Sequence, residues 1–259
     1  MLYLISLGLH DEKDMSIKAI EAAVKCDKLY AEFYTTKMDT STGKISKLIE
    51  KITGVKKTVA ELKRSDLEEN SDKILKEAEN MNVGIFVGGD VLVATTHLSL
   101  LIDAKKKGIN VEIVHGSSIY SAIAETGLHI YKFGKTTTLA FPEKNYKPTS
   151  CYDTILSNKN TGLHTLVLLD VKKEREKYMS INEALKILLE IESEKKCNII
   201  KPETKVVAAC KLGSKEKVIK YGTIDKLMRD NSLREKVPAV IVIPGELHFT
   251  EEEFLEMLK

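Results

Sequence analysis

Charge of one sign is what this sequence lacks most plainly: 40 Lys and Arg stand against 38 Asp and Glu, a formal net charge of +2. Such a balance creates no field for non-specific capture of nucleic acid or an anionic membrane, so neither is expected as the primary partner, although local patches stay open. Cysteine is sparse. Cys26, Cys151, Cys197 and Cys210 lie far apart with no C-x-x-C pair, which removes the close spacing of a zinc or redox motif and the density of a secreted disulfide scaffold. Reduced thiols in a cytoplasmic protein are the expectation. No run of eighteen apolar residues occurs. The opening run Met1 to Leu9 has no basic leader and passes into Asp11-Glu12-Lys13-Asp14, so it reads as a buried first strand. Also missing are G-x-G-x-x-G, the mark of a nicotinamide-binding or common Rossmann site, and the G-x-S-x-G elbow of hydrolases. The six histidines (His10, His97, His115, His129, His164, His248) show no H-x-x-x-H or H-E-x-x-H spacing, so packing or hydrogen bonding is expected of each, and no metal site.

What the chain does have is length and alternation. With 259 residues, 43% hydrophobic and 30% charged, it can bury a core without a staple and has room for two domains. Short apolar runs at Leu2–Ser6, Leu29–Phe33, Thr58–Ala60, Val83–Val87 and Val111–Val114 read as strands. Helical patterns near Ser16–Cys26, Lys44–Ile52, Ser71–Asn80 and Thr95–Lys107 separate them, with Ile17, Ile20 and Val24 on one face of the first. That β-α repetition predicts a mainly parallel sheet with helices on its faces. The second half differs. Thr137–Phe141 and Thr165–Leu169 flank a polar, Pro-containing segment, and Ser180-Ile-Asn-Glu183 is a capping box opening a helix that turns Ile181, Ala184, Leu185 and Leu188 to one side. Strands at Thr204–Cys210, Lys217–Tyr221 and Ala239–Ile243 follow closely, with Thr223–Asp230 as the intervening helix, so part of the second sheet is expected to be antiparallel. Thr250 and Glu253 suit a final capping box, with Phe249 and Phe254 at its staple positions. The reading is an α/β fold of two α/β domains, residues 1–115 and 116–259.

Three loops follow apolar strands, and each admits a functional and a plain reading. Gly8-Leu9-His10 could bring a ligand to the carboxyl edge of a parallel sheet, or be an ordinary glycine turn. Gly88-Gly89-Asp90, after Val83–Val87, lets backbone approach a ligand and offers a carboxylate suited to a cationic or polyhydroxylated group; Asp90 could equally cap the next turn. His115-Gly-Ser-Ser-Ile-Tyr120 offers backbone N–H groups beside small residues, or a simple N-cap at Ser117 or Ser118. Lys105–Lys107 and Lys172-Lys173 read as solvated faces.

Taken in order, these segments resemble the diphthine synthase branch of the tetrapyrrole methylase superfamily, from L-Y-L-I-S-L-G-L-H-D-E at the start to V-I-V-I-P-G-E-L-H near the end. Ala31-Glu-Phe-Tyr-Thr35, Asp90-Val-Leu-Val-Ala-Thr-Thr-His97, Ser118-Ile-Tyr-Ser-Ala122 and Thr126-Gly-Leu-His-Ile-Tyr-Lys-Phe-Gly134 carry the similarity, with Gly162-Leu-His-Thr165, Leu169-Asp170 and Pro244-Gly245. The resemblance implies S-adenosyl-L-methionine bound between two α/β domains, usually in a homodimer. Carried over by position, the cofactor contacts are Leu9, Asp90, Val93, Ser118 and Ile119, followed by Leu169, Leu212 and Ala239. It further implies successive methylation of the amino group of a 3-amino-3-carboxypropyl histidine on translation elongation factor 2. Methylation of a precorrin-like tetrapyrrole is the alternative within the same fold, and binding without turnover a third reading. No catalytic base is identified. One departure stands out: where the superfamily usually has Pro after the Gly-Asp pair, this chain has Val91, which leaves that turn less constrained.

Overall fold

In the computed structural model, residues 1–144 and 146–259 are described. The chain divides into two compact units, Met1–Ser121 and Ala122–Lys259, so the serine loop after the fifth strand belongs to the first of them.

The first unit is built on β1 (Leu2–Ser6), β2 (Lys28–Glu32), β3 (Val59–Leu62), β4 (Val83–Val87) and β5 (Val111–Val114), a five-stranded sheet in the order β3-β2-β4-β1-β5. Every pairing in it is parallel. Parallel strands need crossover helices, and these cover both faces. On one face α1 (Ile17–Lys25) and α2 (Thr42–Thr53) pack against Tyr3, Ile5, Leu29 and Phe86. On the other lie α3 (Arg64–Glu68), α4 (Asp72–Asn80) and α5 (Leu98–Lys106), against Leu2, Leu4, Ile85 and Val87.

Two local expectations in this unit are corrected. Ile17 does not face the core. It is 75% exposed, while Ala19, Ile20, Ala22 and Ala23 form the buried stripe, because small side chains let α1 lie close against the sheet. Ser16 caps that helix, its hydroxyl accepting from Ala19 N–H at 3.1 Å. The expected helix from Thr95 begins only at Leu98, since the preceding residues wind through turns: Val93 N–H bonds Asp90 C=O at 3.0 Å, the Thr95 hydroxyl bonds Val91 C=O at 2.7 Å, and Ala94 adopts φ 55°.

After the short α6 (Ile119–Ala122), the second unit holds β6 (Thr137–Leu139), α7 (Ser150–Asn160), β7 (Thr165–Leu169), the hairpin β8 (Val171–Lys172) and β9 (Lys177–Tyr178), and α8 (Ile181–Lys195). It continues with β10 (Lys205–Cys210), β11 (Val218–Thr223), α9 (Ile224–Arg229), β12 (Ala239–Ile243) and α10 (Phe249–Glu256). Its main sheet runs β11-β10-β12-β7-β6. Only β6–β7 is parallel; β7–β12, β12–β10 and β10–β11 are antiparallel. α7, α8 and α9 pack Tyr152, Ile155, Leu185, Leu188 and Leu227 against one face. The Ser180 box is formed, with Ser180 N–H bonding Glu183 Oε2 at 3.0 Å and Glu183 N–H bonding Ser180 Oγ at 3.3 Å.

The final cap is shifted from Thr250. His248 is the N-cap residue and Glu251, not Glu253, completes the box. The reason lies in burial. Glu251 is fully buried and accepts from His129 N–H (2.7 Å), His248 N–H (2.8 Å), Lys132 Nζ (2.6 Å) and His164 Nε2 (3.0 Å), so α10 starts where that carboxylate can turn inward. Phe249 is correspondingly exposed, and Phe254 lies over Gly127. All four cysteines are free; Cys26, Cys151 and Cys210 are buried, which pushes each thiol up to about 12. Among the described residues, no helix is long and apolar enough to cross a membrane.

Candidate active site

The chain leaves β1 towards α1 on one face of the first sheet and leaves β4 towards α5 on the other, although β1 and β4 are neighbours. The two connections therefore diverge at the carboxyl ends of these strands, the position at which open α/β sheets bind ligands. Gly8 and Gly89 pair directly where the two loops leave the sheet. Gly8 N–H donates to Gly89 C=O at 3.1 Å and Gly89 N–H to Gly8 C=O at 2.7 Å. Both have left-handed backbone, φ 87° and 74°, which a side chain would strain. The room beyond them differs. A Cβ on Gly8 would meet Asp14, whereas one on Gly89 would meet nothing within 4 Å, so the Gly89 backbone borders open space that a ligand can enter.

Asp90 ties these two loops to the third. Its Oδ1 accepts from Leu92 N–H at 3.0 Å; its Oδ2 accepts from Gly116 N–H at 3.1 Å and lies 2.8 Å from His115 Nδ1. Burial opposes ionisation of Asp90, but these hydrogen bonds together outweigh it and hold the carboxyl below the usual range. The carboxylate thus serves as a clamp between loops as well as closing the Leu92 turn. At the position of the missing proline, Val91 uses the N–H that proline would lack: it donates to the buried Ser6 hydroxyl at 3.0 Å. The turn is held by that bond instead of by a ring.

Of the residues carried over from the resemblance, Leu9, Asp90, Val93, Ser118 and Ile119 lie in the first unit, on loops that hydrogen-bond to one another through Gly8–Gly89 and Asp90–Gly116. Leu9, Val93 and Ile119 are half-buried apolar side chains, while Asp90 and Ser118 are buried. Leu169, Leu212 and Ala239 lie in the second unit and gather at one edge of its sheet. Leu169 ends β7 and Ala239 begins the antiparallel β12, whose first residue pairs with Cys210, two residues before Leu212. Lys211 N–H bonds Pro238 C=O at 2.8 Å and fixes that corner. The loops of the first set thus carry open backbone at Gly89, a fixed carboxylate and three half-buried apolar side chains.

Two groups escaped sequence reasoning. The His115–Asp90 pair joins residues 25 positions apart, which no local spacing announces. Glu32 at the end of β2, Tyr34 and His97 are all buried, and Glu32 Oε1, the Tyr34 hydroxyl and both His97 nitrogens have no hydrogen-bond partner among the described residues. Tyr34 and His97 stack at 6.3 Å, with the Arg64 guanidinium 5.2 Å from the Tyr34 ring centre. Burial drives His97 down to about 4, so it is a neutral ring.

A chain with this switch point and a mixed second sheet matches one family over most of its length. The model for tetrapyrrole (corrin/porphyrin) methylases covers residues 1–228, and the chain belongs to that family of methyltransferases. It is 45% identical to a diphthine synthase of Methanocaldococcus jannaschii, spanning 100% of this chain and 98% of that one, and 43% identical with the same coverage to a diphthine synthase of Methanococcus maripaludis. Among solved structures, a putative diphthine synthase from Entamoeba histolytica superposes with a TM-score of 0.89 at 33% identity, over 100% of this chain and 98% of the other. A second diphthine synthase structure gives 0.87 at 33% identity, over 99% and 95%.

Proposed function

We propose that this methyltransferase acts as a diphthine synthase: it uses S-adenosyl-L-methionine to methylate, successively, the amino group of the 3-amino-3-carboxypropyl histidine of translation elongation factor 2, giving diphthine. The observation that carries this reading is identity above 40% along the whole chain, with no part of it left unmatched, to proteins of that name. A precorrin substrate is not favoured by those relatives. The cofactor supplies an activated methyl group on a sulfonium, so the protein's task is to hold an unprotonated amine in line with the methyl–sulfur bond. Leu9, Asp90, Val93, Ser118 and Ile119 from the first unit, and Leu169, Leu212 and Ala239 from the second, are the proposed cofactor contacts. The open side of Gly89 supports the first set, because backbone there can be approached without a clash. A homodimer working in the cytoplasm completes the proposal.

The test is incubation with cofactor and the factor already bearing the aminocarboxypropyl group, followed by intact mass. Stepwise addition of methyl groups, up to three, is expected, with unmodified factor unchanged. Methylation of a precorrin while the modified factor stays untouched would transfer the assignment to the alternative.

A further inference from the structure

His115 follows β5 and pairs with Asp90, and it is not itself among the proposed cofactor contacts. Asp90 is fixed on three sides, by Leu92 N–H, Gly116 N–H and the His115 ring, and is a carboxylate at neutral pH. A carboxylate only accepts, so the 2.8 Å contact requires the proton on His115 Nδ1. The lone pair of the neutral ring is then on Nε2. Asp90 is buried, with 7% of its side chain exposed, whereas the His115 side chain is 70% exposed, which leaves Nε2 as the accessible nitrogen. This is the geometry by which a carboxylate sets the tautomer and direction of an imidazole base and offsets the charge the ring gains. The other histidines of this edge are placed differently. His10 faces Asp39 at 3.8 Å, and His97 is buried against Tyr34.

The geometry points to His115 as the general base of methyl transfer, an assignment that rests on the function proposed above. The substrate amine is an ammonium at neutral pH and has no lone pair. Nε2 of His115 accepts one proton from it. The freed nitrogen pair forms the N–C bond to the methyl carbon as the C–S bond breaks, its electrons remaining on sulfur as a neutral thioether. The ring then returns its proton to solvent through the exposed face. Each round exchanges one N–H for one N–CH3: the nitrogen is neutral when it attacks and a monocation again once methylated, so the same residue serves every round.

His115→Asn separates this role from the clamp, because the asparagine amide N–H stands near the position of Nδ1 and still donates to Asp90 while Nε2 is removed. Single-turnover methylation of the modified factor near neutrality should slow by about 100-fold. The deficit should close as pH rises and the amine loses its proton unaided, and S-adenosylhomocysteine affinity by calorimetry should be unchanged. His115→Ala should be partly rescued by added imidazole. Independently of turnover, nitrogen-15 spectra of the unsubstituted protein should show His115 protonated at Nδ1 and bare at Nε2. Normal turnover and pH profile in His115→Asn, an Nε2–H tautomer, or a loss that tracks cofactor affinity each overturns the assignment. No turnover by the unsubstituted protein overturns the functional reading and this assignment with it, a result distinguishable from the others.

Discussion

Glu251→Gln tests how the second unit is held together. The carboxylate has no solvent contact and receives four donors, two of them cationic or imidazole side chains. Burial resists its charge, yet the hydrogen bonds from His248, Lys132, His129 and His164 lower it from 4.5 to about 2. At roughly 1.4 kcal/mol per pH unit, that difference amounts to about 3 kcal/mol in favour of the folded state. The pKa is depressed on folding, so the contribution is complete above pH 4.5 and is lost as pH falls from there through about 2. Glutamine keeps the shape but turns an NH2 group towards at least one donor, so most of the contribution should vanish at neutral pH. The amides of His129 and His248, which donate to this carboxylate, report it locally. Their hydrogen exchange should accelerate roughly a hundred-fold. Acid unfolding of the variant should also lose its slope between pH 4.5 and about 2. Unchanged exchange at both amides, or an unchanged acid limb, would refute the argument.

His97, held neutral by burial down to about 4 against an ordinary 6.5, should make the protein lose stability as pH falls across that window, because the unfolded chain takes the proton first; His97→Phe should flatten the same stretch of a urea-midpoint-versus-pH curve. Ser6→Ala, which strands the buried Val91 N–H, should cost about 1–2 kcal/mol by denaturant titration. In a Val91→Pro background that cost should largely disappear, and full additivity would show that the bond contributes nothing. Gly89→Ala introduces a strain of roughly 1–2 kcal/mol without a clash; a loss of S-adenosylhomocysteine affinity of about tenfold or more is expected by calorimetry, and unchanged affinity would remove the open side of Gly89 from the cofactor site.

The strands were readable because apolar runs such as Val83–Val87, between Asn82 and Gly88, and Ala239–Ile243, between two prolines, have sharp limits, and the structure keeps them. α7 was not. Its buried face is Cys151, Tyr152, Ile155 and Asn158, so two polar-capable side chains interrupt the apolar period. Asn158 is inside because its amide is used, binding Lys135 C=O at 2.8 Å, the Thr165 hydroxyl at 3.0 Å and Lys135 N–H at 3.1 Å, partners that exist only once the fold has formed. Ile17 misled for the opposite reason: it fits the helical period but is exposed, and the buried face is made by Ile20 and three alanines. At the site, glycines following strands announced the loops. What those loops do to one another was not legible. The Asp90 carboxylate meeting His115, the Ser6 hydroxyl meeting Val91, and the orphaned nitrogens of His97 depend on tertiary approach between segments that the sequence keeps apart.

The order of strands also bears on how the chain is made. The first sheet is complete once β5 has been synthesised, and β1 already finds both its neighbours, β4 and β5, by Val114. The second sheet has its middle strand near its end: β12 separates β10 from β7, which otherwise share no pairing, and Glu251 closes on His129 across 122 positions. A chain growing from its amino terminus can therefore shut the first unit early, while the second keeps the apolar edges of β7 and β10 uncovered until residues 239–256 have left the ribosome. Stalled or shortened products lacking those residues would expose two unpaired sheet edges, the state in which a chaperone has most to hold.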